Sequence, residues 1–195
     1  MAANRGFTSE DLWVERGDQR IYGKLYLPEG YDGSRRLPAI ICAHYFSGSH
    51  RTSAVWARLM ARAGYAAYAF DFCGGSPLSR STGATTECTI FTHAADLSAI
   101  IDAFKELDTV DPASIFLLGQ SQGGAVSAMA AAERGDDDDV EQRFIHCLLL
   151  RLSNSIAYRA AVHPLDMSTY LPWRRRGAGG RRHGDSASAR GLDLL

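Results

Sequence analysis

Lysine is almost missing from this chain: of 21 basic side chains only Lys24 and Lys105 are lysine, and the rest are arginine. The lysine of a phosphate-cradling Walker loop is absent from the Gly-rich turn at 119–124, which follows an apolar strand, and this argues against nucleotide binding there. Cysteine is scarce too. Cys42, Cys73, Cys88 and Cys147 are spaced by 31, 15 and 59 residues, which fits neither a disulfide framework nor paired zinc knuckles. Reduced, mostly buried thiols and no metal are the expectation. No apolar run approaches the roughly 20 residues of a membrane helix. The N-terminus "MAANRGFTSEDLWVERG" lacks the basic-then-apolar layout of a secretory signal, so the expected setting is cytoplasmic, with no membrane partner.

What the chain does have is apolar material for a core. Of its 195 residues, 46% are hydrophobic and 10% aromatic, enough for one domain of ordinary size. "DLWVERG" and "QRIYGKLYLP" read as a hairpin turning at Gly17 and Asp18, with Trp13, Ile21, Leu25 and Leu27 inward. "LPAIICAH" (37–44) and "YAAYAFDF" (65–72) are continuous apolar runs of the kind shown by strands buried on both faces. Between them "SAVWARLMARAG" spaces Val55, Trp56, Leu59, Met60 and Ala63 at helical intervals and stops at Gly64. A second helix, "THAADLSAIIDAFKEL", sets Ala95, Leu97, Ile100, Ile101 and Phe104 near one side. "DPASIFLLG" then gives a turn and a third buried strand, and "GGAVSAMAAAERG" a third helix ending at Gly135. This alternation predicts an α/β fold, a mostly parallel sheet with helices on both faces.

The strand "SIFLL" runs straight into Gly119-Gln120-Ser121-Gln122-Gly123 and out into a helix. A G-x-S-x-G in that setting is the nucleophile elbow. The glycines permit a turn so tight that side chains would clash, and the turn lifts the serine hydroxyl clear at the carboxyl end of the sheet, where open α/β sheets bind ligands. The following helix directs N–H groups and a partial positive charge at any oxyanion formed beside Ser121.

A second motif, "CAHYFSGSH", closes the strand at 37–43, and "FDFCGGSPLSRSTG" follows the next. With the elbow, these resemble the α/β-hydrolase family and, within it, small serine esterases of the feruloyl or cinnamoyl ester type and their peptidase-like relatives. The resemblance covers about residues 10–139. It implies an α/β-hydrolase fold, an acyl-enzyme on Ser121, an oxyanion hole formed by the N–H groups of Phe46 and Gln122, small-molecule ester substrates and no cofactor. It makes His44 and Asp71 structural neighbours of the site, together with Gly119 and Gly123. Tyr45 departs from the family's Gly, a change that implies either a narrower acyl pocket or an altered loop backbone.

A serine hydroxyl needs a base, and the base an acid; in this fold both follow the serine, acid first. Only 74 residues follow Ser121. They hold His146, His163 and His183 as bases and Asp166 and Asp185 as acids; the required order selects Asp166 and His183. The character of the chain changes here as well. Residues 1–139 carry 12 basic and 18 acidic side chains, residues 140–195 nine arginines and four acids. The expected organisation is a hydrolase core over 1–139, one more strand ("RFIHCLLLRL") and an irregular segment over 140–172, and a disordered Arg/Gly-rich tail over 173–195. A change of reading frame near Asp136–Asp139 would account for the charge switch and the absent motifs together, and implies a truncated, catalytically silent hydrolase-like protein as the alternative to an esterase; a peptidase-like hydrolase is the third reading. An Arg-rich nucleic-acid arm is disfavoured because the tail has little aromatic interleaving, so no nucleic-acid partner is expected. The four consecutive Asp read as a solvated turn, since adjacent carboxylates cannot all converge on one ion.

Overall fold

The computed structural model describes residues 6–134 and the backbone of residues 147–148. The chain divides into two units, Met1–Arg151 and Leu152–Leu195, and every described residue falls in the first. The expected boundaries at 139 and 172, the remainder of the "RFIHCLLLRL" strand and the tail lie outside the described residues.

Two strands, β1 (Phe7–Arg16) and β2 (Gln19–Pro28), form the expected antiparallel hairpin, turning through Gly17 at φ 60°. Next come β3 (Leu37–Ala43), α1 (His50–Arg62), β4 (Ala66–Phe70), α2 (Ile90–Lys105), β5 (Val110–Gln120), α3 (Gln122–Glu133) and β6 (Cys147–Leu148). The sheet order is β1-β2-β4-β3-β5-β6; β3 pairs in parallel with β4 and β5, β5 with β6, while the hairpin joins β4 antiparallel. The strands β3, β4 and β5 therefore all point their carboxyl ends the same way, and the segments after them share one edge. That edge carries the serine.

Helices α2 and α3 pack on one face of the sheet around Tyr68, Phe70, Leu97, Ile100, Phe104 and Val126. The α1 helix takes the other face, against β2, β3 and β4. Its phase differs from the sequence expectation. The buried side is Ser53, Ala54, Ala57, Met60 and Ala61, while Val55 (53%) and Leu59 (42%) are exposed, as is Ala63. Small side chains let the helix backbone approach the pleat, and the larger apolar ones are left outward. A similar one-residue correction applies to α2, where Ala94 is buried and Ala95 exposed. In the hairpin, Val14 lies opposite Ile21 in the core. Trp13, expected inward, is half-buried on the other side, edge-on to Tyr22 with Arg20 4.7 Å over its ring. Tyr22 and Tyr26 are buried beside Ile21 and Leu25, so β2 is covered on both faces and Leu27 is only partly buried. The Asp111-Pro112 turn is absorbed into β5 as a register shift between Leu37/Ala39 of β3 and Val110/Ile115.

The long connection after β4 returns to the hairpin. Thr82 N–H donates to Arg20 O (3.0 Å), and Tyr22 and Arg20 N–H donate to the hydroxyls of Ser81 and Thr82, each at 2.8 Å. Buried Asp96 of α2 accepts from Arg16 Nε (2.6 Å) and from Cys73 N–H (2.8 Å), fixing the start of this connection.

Candidate functional site

One residue separates β5 from α3. Ser121 stands at φ 52° and ψ −116°, a conformation that strains any residue with a Cβ, and its side chain is exposed. The flanking glycines show why the chain turns here. A Cβ on Gly119 would lie 2.3 Å from Gly123 O, and one on Gly123 would lie 2.5 Å from His44 O and 2.6 Å from Ala43 O. The helix starts at once: Gly124 and Ala125 N–H donate to Ser121 O at 2.9 and 3.2 Å. Gln122 N–H, the first of the helix, is among the first-turn donors without a helical carbonyl to serve, at the positive end of the α3 dipole.

The strand beside β5 supplies the second segment. Ala43 is in register with Gly119, so the loop that begins at His44 runs next to the Ser121 turn. Along that loop Tyr45 is 42% exposed and Phe46 70%. Ser47 has φ 60°, and Gly48 N–H closes a turn onto Tyr45 O at 2.9 Å.

Both ends of the loop are tied to two consecutive residues after β4. At the first end, the buried His44 ring donates from Nδ1 to Tyr45 O (2.7 Å) and accepts at Nε2 from Phe72 N–H (3.3 Å). Burial also pushes this imidazole below its ordinary pKa, against the pull of the Tyr45 carbonyl, so it stays neutral. At the far end, His50 opens α1. Its backbone N–H donates to Asp71 Oδ1 (2.5 Å) and its ring Nδ1 lies 2.9 and 3.0 Å from the two Asp71 oxygens. Asp71 also accepts from Arg80 N–H at 2.9 Å. Burial pushes the Asp71 carboxyl up, but the His50 ring and the N–H groups of Arg80 and His50 outweigh it and hold it below the usual carboxylate range.

Of the residues singled out from sequence, Ser121, Gln122, Gly119 and Gly123 share the strand-to-helix turn, with His44, Phe46 and Asp71 along the adjoining edge. Asp166 and His183 lie outside the described residues, as do His146, His163 and Asp185. Among the described residues, no histidine hydrogen-bonds Ser121: His44 and His50 are committed to Tyr45, Phe72 and Asp71, and His93, on the buried side of α2, is stacked 4.3 Å from Phe72 with neither ring nitrogen hydrogen-bonded. Sequence reasoning missed His50. Its signal was available, a His at the first position of a helix whose neighbouring strand ends in Asp, but no motif names it. Among the described residues no group of His, Cys, Asp and Glu could hold a metal ion. Burial pushes the Cys42 and Cys73 thiols up to about 12, so both are protonated and inert.

A family model described as the alpha/beta hydrolase fold matches residues 38–171, more than half of the chain. The chain belongs to the α/β-hydrolase fold family. Solved structures similar to it include Est1E from Butyrivibrio proteoclasticus with ferulic acid bound, at 25% identity and a TM-score of 0.57, covering 64% of this chain and 48% of that one. Hypothetical protein PA2218 from Pseudomonas aeruginosa matches at 25% identity and a TM-score of 0.56 (71% and 41% covered). DcsB in complex with its substrate analogue matches at 26% and 0.56 (68% and 43%). The chain thus spans less than half the length of each of these three proteins. No curated protein sequence matches it. Among the described residues no helix is long and apolar enough to cross a membrane.

Proposed function

We propose that the protein is a serine hydrolase that cleaves small-molecule carboxylic esters through an acyl-enzyme on Ser121. The observation that carries this is the strained Ser121 at φ 52°, exposed between two glycines that have no room for a Cβ, at the N-terminus of α3. This is the geometry of a nucleophile elbow. Ser121 Oγ adds to the ester carbonyl as its proton passes to a base. The carbonyl oxygen becomes an oxyanion held by Gln122 N–H and Phe46 N–H, and collapse expels the alcohol, which takes up that proton. Water then repeats the sequence on the acyl-enzyme and releases the acid. No cofactor enters. Asp166 and His183 remain the candidate acid and base, carried by sequence order alone.

One observation favours a second reading, a catalytically silent hydrolase-like protein: none of the three described histidines hydrogen-bonds Ser121, His44 and His50 being bonded elsewhere and His93 buried against Phe72. Without its base, a triad of this type loses on the order of 10⁶ in kcat, although oxyanion hole and binding can retain roughly 10³ over water. A short-chain activated ester and a serine-directed phosphonate separate the two. Turnover and labelling that vanish in Ser121→Ala support the esterase, whereas equal, near-background rates in both proteins support the silent domain.

A further inference from the structure

We infer that His50 is a positioning residue for the oxyanion loop, setting Phe46 N–H by clamping the far end of residues 44–49 to Asp71. The inference rests on the reading of Phe46 N–H as an oxyanion donor. The middle of the loop, Tyr45–Ser47, is exposed and includes the positive-φ Ser47, so little packing holds it there, while Gly48 and Ser49 are buried. Its entry is pinned by His44 to Phe72 N–H, and its exit by His50 to the Asp71 carboxylate through both ring and backbone N–H. Because Asp71 and Phe72 are adjacent, the two histidines hang the loop from one short piece of chain. His50 itself is 6% exposed, edge-on to Tyr22 at 4.9 Å, and makes no hydrogen bond to Ser121. Arg80 lies 3.7 Å over the Tyr22 ring while its backbone N–H meets the same carboxylate, so the clamp is braced from the hairpin side. A donor on α1 that only capped the helix would need the backbone N–H alone. The ring nitrogen adds a second, directional contact that resists rotation of the loop's exit.

Two amide substitutions separate the clamp from bulk and polarity. In His50→Asn the side-chain amide nitrogen occupies the position of Nδ1 and can donate to Asp71; in His50→Gln it extends to the position of Nε2 and cannot. Hydrogen exchange read by mass spectrometry on the full chain should show faster exchange, by about tenfold or more, over residues 45–49 in His50→Gln, with the peptide covering α3 unchanged and His50→Asn close to wild type. In turnover of the activated ester, His50→Gln should lower kcat by about 10- to 100-fold with KM nearly unchanged, against the 10² to 10³ lost when one oxyanion donor is removed outright; His50→Asn should restore most of it. Unchanged loop exchange in His50→Gln, or His50→Asn as loose as His50→Gln, overturns the clamp. Altered exchange with kcat unaffected overturns the positioning role. If wild type neither turns over ester nor labels at Ser121, the hydrolase reading falls and the positioning role falls with it, while the exchange data still decide the clamp by themselves.

Discussion

Two neighbouring segments bring backbone N–H groups to the same edge of the sheet, and they are held there by opposite means. The turn at 119–123 is fixed by what it lacks: with no Cβ at Gly119 or Gly123, chain segments close to distances that any side chain would forbid. The loop at 44–50 is fixed by what it has, two buried histidines bonded to the two successive residues that follow β4. Steric fixing has no moving parts and tolerates no substitution. Hydrogen-bonded fixing can be loosened by degrees, and depends on which groups carry protons.

The sharpest test of the steric half is Gly123→Ala. Its new Cβ would meet backbone atoms of Ala43 and His44 that cannot swing aside, so denaturant unfolding should show a loss of about 3 kcal/mol or more. The hydrogen-bonded half should break more gently. In Asp71→Asn the carboxylate that serves His50 and Arg80 is replaced by an amide that must turn a donor toward one of them, costing about 2–3 kcal/mol at neutral pH. The pH dependence has a definite sign. Because the folded carboxyl is held below its ordinary value, its contribution is complete above that value and fades as pH falls through the folded one, so stability measured below about pH 4 should decline less steeply in Asp71→Asn than in wild type. Ser121→Gly should move the other way, raising stability by about 1 kcal/mol as the positive-φ strain is relieved, while phosphonate labelling disappears. The smallest effect belongs to His93. Burial lowers its pKa, so protonation favours the unfolded chain and stability falls as pH drops below about 6.5; His93→Leu should flatten that slope between pH 7 and 5 in chemical denaturation.

The difference between the two segments also explains what could be read from the amino acids alone. Glycines at fixed offsets around a serine announce a close approach, because absence of a side chain has few other uses at a strand end. The strands, the hairpin and the helices followed from apolar runs for a related reason, since burial on both faces leaves little choice of residue. A histidine that donates to a carboxylate 21 positions away leaves no such trace: Asp71 was visible as a strand-end acid, His50 was not. Helix phase failed in the same way. Val55 and Leu59 are apolar and periodic, yet α1 packs mainly through Ser53, Ala54, Ala57 and Ala61, where small side chains let the helix approach the sheet; in α2 the buried face is turned by one residue, from Ala95 to Ala94, beside Leu97, Ile100 and Phe104. Trp13 went outward for another local reason, the ring of Tyr22 and the guanidinium of Arg20 across the hairpin. The serine's base and acid were chosen by chain order alone, and order says nothing about reach.

The pairing of His50 with Asp71 and of His44 with Phe72 has a consequence for transplanting the site. Strand β4 cannot slip by one residue without offering a backbone amide where a carboxylate is needed and the reverse, so the loop carries its own registration mark on its neighbour. A chimera that borrows residues 44–50 from a related hydrolase inherits only half of a lock. The transferable cassette is discontinuous: the loop, the Asp71-Phe72 step and the segment at Arg80 move together, or the loop arrives without its address.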